Sequence, residues 1–252
     1  MEFSGRTVLI TGGSRGIGHA TARAFAARGA RVAITYLSNE AAAQQTVEVL
    51  PGGPHLAVQS DVSDPDAVAR AFNTVAEAFT RIHIVVNNAG IYRYHRIEEV
   101  DYDGWQTAWR EVIDTNLVGP ANVAYCAARH MIEHGGGKII AVSSRGAFRG
   151  EPEGPAYGAS KAGLNALSQS LAQRLAPHDI TVGVVAPGFV ETDLGKRVLD
   201  GPGGDEIRAQ SPFGRVARPE EVAHAVLFLA SEGAEFSTGT IIDVNGASYL
   251  RS

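Results

Sequence analysis

Residues 7–29 read TVLITGGSRGIGHATARAFAARG: an apolar run, a cluster of glycines, then an alanine-rich stretch. Val8, Leu9 and Ile10 suit a buried strand, and from Gly16 onward apolar side chains recur at helical intervals. A strand that passes through a glycine loop into a helix brings free backbone N–H groups and the positive end of the helix together. That combination is a cradle for phosphate. The glycines fall at Gly12, Gly16 and Gly18, a variant of the G-x-G-x-x-G spacing. The same residues spell G-x-S-x-G from Gly12 to Gly16, the pattern of a hydrolase nucleophile centred on Ser14. An arginine and a further glycine pair suit phosphate better than that nucleophile.

The rhythm of this opening unit continues through the chain. Apolar runs predict strands at 7–11, 31–36, 55–60, 82–87, 137–143, 179–185 and 240–244. Helical patterns lie between them at 16–28, 39–50, 64–79, 107–134, 157–176 and 219–231. The strands are continuously apolar rather than alternating, as in a parallel sheet covered by helices on both faces. The expectation is therefore one α/β domain spanning 1–252, a doubly wound fold with a parallel sheet of about seven strands. One segment breaks the rhythm. Residues 186–218 carry many prolines and glycines and follow a strand's carboxyl end, the position of a substrate lid in such folds.

Bulk properties narrow the function. Of the 252 residues, 44% are hydrophobic and 19% charged, an ordinary balance for a soluble globular chain. A net charge of −5 argues against nucleic acid and anionic membrane as partners. No apolar run is long enough to span a bilayer and the amino terminus is no signal peptide, so a cytoplasmic setting is expected. Cys126 is the single cysteine and lies in an apolar run, as a packed small hydrophobe would. The run HMIEH at 130–134 fits a zinc-binding pattern, but three glycines follow it. A place at a helix's carboxyl end explains the histidines better, and no metal is expected.

The second strand bears on the cofactor. Dinucleotide sites commonly place an acid about 20 residues past the glycine loop, on the ribose 2′-hydroxyl of NAD. Here Thr35, Tyr36, Leu37 and Ser38 occupy that place, and the first acid, Glu40, falls inside the next helix. No carboxylate repels a 2′-phosphate, whereas Arg15 and Ser38 can bind one. NADP(H) is therefore expected over NAD(H).

Further motifs arrive in a fixed order. DVSD lies at 61–64, NNAG at 87–90, DTNLVG at 114–119, VSS at 142–144, YGASK at 157–161 and APGFVETD at 186–193. With TGGSRGIG at 11–18 and the tail from Arg218 to Ala247, they closely resemble the short-chain dehydrogenase/reductase family over essentially the whole chain. Tyr157 and Lys161 sit four apart on one helical face. The family's serine lies thirteen residues before its tyrosine, which selects Ser144 over Ser143. Strand alternation turns those two side chains to opposite faces.

The resemblance implies a catalytic set of Asn116, Ser144, Tyr157 and Lys161. It also implies cofactor contacts at Gly12, Ser14, Arg15, Gly16, Ile17, Gly18, Ser38, Asp61, Val62, Asn88, Ala89 and Gly90, at Tyr157 and Lys161, and at Pro187, Gly188, Val190 and Thr192. Thr192 would alternatively serve as a helix N-cap. The implied reaction interconverts a ketone and a secondary alcohol, with a 3-oxoacyl thioester as one small-molecule substrate. Lysine four residues from tyrosine favours that over enoyl reduction. An NAD(H)-dependent alcohol, sugar or diol dehydrogenase, or a cofactor-binding regulator without turnover, is the alternative. A homotetramer or homodimer is implied, with the helices near 107–134 and 157–176 between subunits.

The chemistry asks for these residue types. Tyrosine's ordinary pKa near 10 is too high for easy proton transfer at neutral pH. An ammonium about 4 Å away, at an effective dielectric near 20, favours phenolate by roughly 4 kcal/mol, about 3 pK units. Lys161 is therefore expected to lower the pKa of Tyr157. The segments 92–109 and 145–154 flank the cleft. The first departs from the family by about four extra residues around Trp105, and Tyr94, His95, Arg145 and Phe148 are candidates either for substrate contact or for solvated loop.

Overall fold

The apolar runs lie side by side in one sheet. In chain order they are β1 (Thr7–Ile10), β2 (Arg31–Tyr36), β3 (Leu56–Gln59), β4 (Ile84–Asn87), β5 (Gly137–Val142), β6 (Ile180–Pro187) and β7 (Ile241–Val244). All neighbours pair in parallel, in the spatial order β3-β2-β1-β4-β5-β6-β7. The computed structural model describes residues 1–251, apart from the side chains of Leu194, Arg197 and Val198. The doubly wound α/β fold expected from the sequence is the one observed. Its order reverses between β1 and β4, where such folds open a crevice at the strands' carboxyl ends.

Helices cover both faces. They are α1 (Gly16–Ala26), α2 (Glu40–Glu48), α3 (Pro65–Phe79), α4 (Tyr102–Ile113), α5 (Gly119–Glu133), α6 (Gly146–Arg149), α7 (Pro155–Leu175), α8 (Asp193–Leu199), α9 (Gly204–Ala209) and α10 (Pro219–Ala230). One core cluster joins Phe25 of α1 and Val226 and Leu227 of α10 to Val8, Ile10 and Ile34 on one sheet face. The other joins Val75 and Phe79 of α3 and Met131 of α5 to Leu9, Val85 and Ile139 on the opposite face. Alternate residues of β1 thus feed opposite cores, which explains why its run carries no polar alternation. The outer strands β3 and β7 are only half covered, and each carries an exposed residue, Gln59 and Asp243.

The helix expected at 107–134 differs from the sequence expectation in two ways. The helix expected to start at 107 starts at Tyr102, because Asp101 caps it by accepting from Gly104 N at 2.8 Å. The additional residues around Trp105 are therefore its first turns. The helix also does not run straight to 134. Pro120 has no N–H for the carbonyl four residues back, that of Asn116. A π-helical turn at Asp114–Val118 takes up the mismatch and joins α4 to α5. Segment 186–218 holds the short helices α8 and α9, and its ends are tied together by Ala217 N to Phe189 O at 3.0 Å and Glu191 N to Ala217 O at 2.9 Å.

Candidate active site

The carboxyl ends of β1, β4, β5 and β6 bring the ordered motifs into one cleft. After β1, Gly12 and Gly16 take φ of +64° and +53°, conformations open to glycine at little cost. A side chain at Gly18 would collide with Gly12 O and Asn88 Nδ2, so this glycine lets the loop close on the helix. Arg15 precedes α1 in extended conformation and provides no side-chain cap, so the first-turn amides of α1 have no side-chain acceptor from it. The loop is stitched to the NNAG turn. Thr11 Oγ1 accepts from Asn88 N and Ala89 N at 3.0 Å each, and Asn88 Nδ2 donates to Thr11 O at 2.9 Å and Gly12 O at 3.0 Å.

The remaining expected cofactor contacts lie around this loop. Ser38 and Arg15 are exposed beyond β2 and the loop, with no acid at the end of β2. Asp61 is exposed after β3 and accepts from Ser63 N at 2.9 Å and Ser63 Oγ at 2.7 Å, while Val62 is buried beside Gly119. Pro187, Gly188 and Val190 carry β6 out of the sheet, and the methyl of Thr192 lies over Gly16, where a Cβ would stand 3.1 Å away. Thr192 Oγ1 also accepts from Gly195 N at 3.2 Å, so it does cap α8. Ile17 is half-buried against the α1–α10 core. These residues suit a dinucleotide: free amides and a cation at the phosphate end, and no carboxylate at β2. Ser14 sits in the same loop, and His19, the histidine nearest in sequence, bonds Thr46 Oγ1 at 3.1 Å instead of activating it.

The four candidate catalytic side chains converge beyond β4 and β5. Lys161 is 4% exposed and its ammonium donates to Val142 O at 2.8 Å. Asn116, fully buried in the π-helical turn, accepts from Ile91 N at 2.8 Å and donates to Ile91 O at 2.9 Å. A Cβ added at Gly90 would lie 3.3 Å from Asn116 Oδ1 and 3.5 Å from Lys161 Nζ, which places those two groups across one small residue. Ser144 accepts from Gly146 N at 3.0 Å, and it lies close enough to Tyr157 to pull the pKa of its phenol down. Ser143 turns the other way and donates to Lys161 O at 3.2 Å. The two serine side chains thus point to different partners, as strand alternation requires.

Electrostatics differ from the sequence expectation. Burial pushes the Tyr157 phenol up to about 12, with Ser144 pulling the other way. Lys161 does not offset that burial, because its ammonium is turned to the Val142 carbonyl, 5.8 Å from the centre of the Tyr157 ring. Desolvation in turn pushes Lys161 down to about 8. The favourable ion–phenolate pair expected at about 4 Å is not formed in this arrangement.

Tyr92 was not singled out in the sequence, and the roles of His95, Arg145 and Phe148 differ from those expected. Tyr92 packs on Tyr157 with ring centres 5.0 Å apart. His95, 1% exposed, bonds Arg93 O through Nδ1 at 2.8 Å and accepts from Ala156 N through Nε2 at 3.2 Å. It caps the first turn of α7, whose own N-cap position, Gly154, has no side chain to do so. Arg145 is buried, not a solvated loop residue, whereas Tyr94 is 64% exposed. Phe148 lies under the Arg251 guanidinium at 4.4 Å. None of these roles has a periodicity or spacing that a sequence displays. The His130–His134 pair is used elsewhere: His130 Nε2 accepts from Ile82 N at 2.9 Å, and the two rings stack.

Comparison with known proteins agrees with this geometry. A family model described as Enoyl-(Acyl carrier protein) reductase matches residues 12–247. The chain is 37% identical to the 3-oxoacyl-acyl-carrier-protein reductase FabG of Escherichia coli, over 99% of this chain and 100% of that one. A dehydrogenase/reductase structure from Sinorhizobium meliloti superposes with a TM-score of 0.91 at 33% identity, covering 99% of this chain and 97% of the other. A short chain dehydrogenase from Burkholderia cenocepacia, solved in complex with NADP, gives 0.89 at 35% identity, over 98% and 99%. With the ordered motifs gathered in one cleft of a doubly wound sheet, these likenesses establish that the chain belongs to the short-chain dehydrogenase/reductase family, enzymes of CH–OH and carbonyl groups.

Proposed function

We propose that this protein interconverts a ketone and a secondary alcohol with NADP(H), using Tyr157 as general acid and base. The observation behind this is the placement of Ser144, Tyr157, Lys161 and Asn116 around one point beside the glycine loop. The nicotinamide supplies or accepts the hydride. Ser144 holds the substrate oxygen, and Tyr157, protonated by virtue of its burial, gives that oxygen a proton. Lys161 binds the cofactor ribose and, when turned from Val142 toward the phenol, favours its ionised form. Asn116 spends its amide on Ile91, so the group left to hold a relay water is its main-chain carbonyl, deprived of an α-helical donor by Pro120.

The family model's description names an enoyl group and the FabG relatives a 3-oxoacyl group. The four-residue interval from Tyr157 to Lys161 supports the carbonyl, and a 3-oxoacyl thioester is one substrate of that class. Preference for NADP(H) over NAD(H) rests on exposed Arg15 and Ser38 and on the absence of an acid after β2. Residues 186–218 act as the substrate lid. A homotetramer or homodimer is supported by Val118, Tyr125 and Ile132, exposed at intervals of seven residues around α5. The described helices include none long and apolar enough to cross a membrane, and a cytoplasmic enzyme is the setting we infer.

The experiment is Tyr157→Phe. It is expected to abolish NADPH-dependent ketone reduction while NADPH still binds, measured by quenching of protein fluorescence. Substantial residual turnover would rule out this proton donor.

A further inference from the structure

Directly after Ser144 comes a buried guanidinium without an ion-pair partner. Arg145 is 3% exposed, and it donates to Ser248 Oγ through Nη1 and to Gln210 Oε1 through Nη2, each at 2.5 Å. Its guanidinium carbon lies 5.1 Å from the centre of the Phe189 ring. All three partners are neutral. Among the described residues Arg145 enters no ion pair. Glu151 acts on it from beyond ion-pair distance, and burial raises the pKa of that carboxyl. A second guanidinium converges on the same place, with Arg149 Nη1 3.4 Å from the same Gln210 oxygen. One amide oxygen therefore stands where two cations meet.

Burying a charge without an opposite one is costly, and a fold that needed only a brace would place a carboxylate at position 210. A glutamine hydrogen-bonds both cations but neutralises neither, so an anion can take its place. Space for an exchange lies beside Arg145. A cavity of about 200 Å³ is lined by Arg145, Phe189, Ser211, Phe213, Asn245 and Ser248 among others. Arg215 also borders it, but Glu221 neutralises that charge through bonds of 2.6 and 2.7 Å. Arg145 N donates to Pro187 O at 2.8 Å, so the loop that carries Ser144 also forms the cavity wall.

We propose that Arg145, aided by Arg149, recognises an anionic group carried on the substrate, a carboxylate or a phosphate, which enters this cavity and takes the place of the Gln210 amide. The inference rests on the reductase reading above and adds the substrate's charge to it. No covalent step is involved; the anion supplies the missing ion-pair partner and fixes the carbonyl relative to Ser144 and Tyr157.

The test follows NADPH oxidation with a homologous series of oxo acids and their methyl esters, and with pantetheine thioesters with and without the terminal phosphate. The wild type is expected to favour the charged member of at least one series by about tenfold or more in kcat/KM. A preference among the acids identifies a carboxylate, and one confined to the phosphorylated thioester identifies the phosphate. Gln210→Glu installs a permanent counter-charge, so it is expected to raise the melting temperature and bring the charged member down to its neutral partner. Arg149→Gln is expected to reduce the preference in part. Equal rates on charged and neutral members, or a preference untouched by a Gln210→Glu that stabilises the protein, overturns the anion site and leaves the reductase reading in place. Should no compound be reduced, melting shifts by the free acids decide. A stabilisation present in the wild type and lost in Gln210→Glu supports the site, and its absence from both overturns the site.

Discussion

The Nε2 of His95 accepts the Ala156 amide at 3.2 Å, one residue before Tyr157. A residue sixty-one positions upstream thereby caps the helix that carries the phenol. Its Nδ1 faces Arg93 O at 2.8 Å, which assigns the proton to Nδ1 and the lone pair to Nε2. Loss of the acceptor leaves a buried amide unpaired, at a cost of about 1–3 kcal/mol. His95→Phe is expected to lower the melting temperature and to cut kcat about tenfold through misplacement of Tyr157, with little change in KM. His95→Asn keeps an acceptor and recovers most of kcat. A purely structural role would show as lost stability with kcat intact.

The buried pair at the centre of the site sets a pH dependence. Tyr157 lies up at about 12 and stays protonated through the working range, while Lys161 lies down at about 8 and loses its charge above that. Carbonyl reduction, as kcat/KM against pH, is expected to be level below pH 8 and to fall above it. Lys161→Arg keeps a charge at all these pH values and is expected to remove the break. A break that persists in that variant would place its origin in another group.

A second titration concerns stability. Thr7 N donates to His83 Nδ1 at 3.0 Å, which requires a neutral ring. Burial, aided by nearby Arg81, Arg6 and Arg31, pushes His83 down to about 4. The unfolded chain takes up its proton first, so the stability this group contributes is complete above pH 6.5 and is lost as pH falls from 6.5 to about 4. The loss is at most about 3 kcal/mol for this half-buried ring. His83→Asn retains an acceptor without titrating. Urea midpoints measured at pH 7 and pH 5 are expected to differ less in that variant than in the wild type; an unchanged difference would exonerate His83.

Cofactor choice is tested beyond β2. Ser38→Asp introduces the carboxylate that this chain lacks there. It is expected to raise KM for NADPH by about tenfold or more through repulsion of the 2′-phosphate, with KM for NADH changed little. A wild type that already prefers NADH would defeat the assignment outright.

Some of this was legible in residue order alone. β2 falls on the expected residues, and β1 and β5 end within one residue of expectation, because both sheet faces are covered and leave an unbroken apolar run. The glycine loop and the Tyr157–Lys161 pair were visible because each is a local pattern at fixed spacing. Helix starts fell within two residues of expectation except that of α4. The start of α4 depended on Asp101 as a cap and the π-helical turn on Pro120, single residues that change geometry without altering periodicity.

Local order therefore determined the fold class and the candidate reacting groups. Tertiary structure decided their electrostatic state, since the direction in which Lys161 points, toward Val142 O rather than the phenol, is set by packing between β5 and α7. It also decided which distant residues hold the site. His95 capping Ala156 and Gln210 meeting Arg145 are contacts between segments far apart in sequence. Burial and hydrogen bonding across such distances depend on how the layers pack, and no spacing along the chain encodes them.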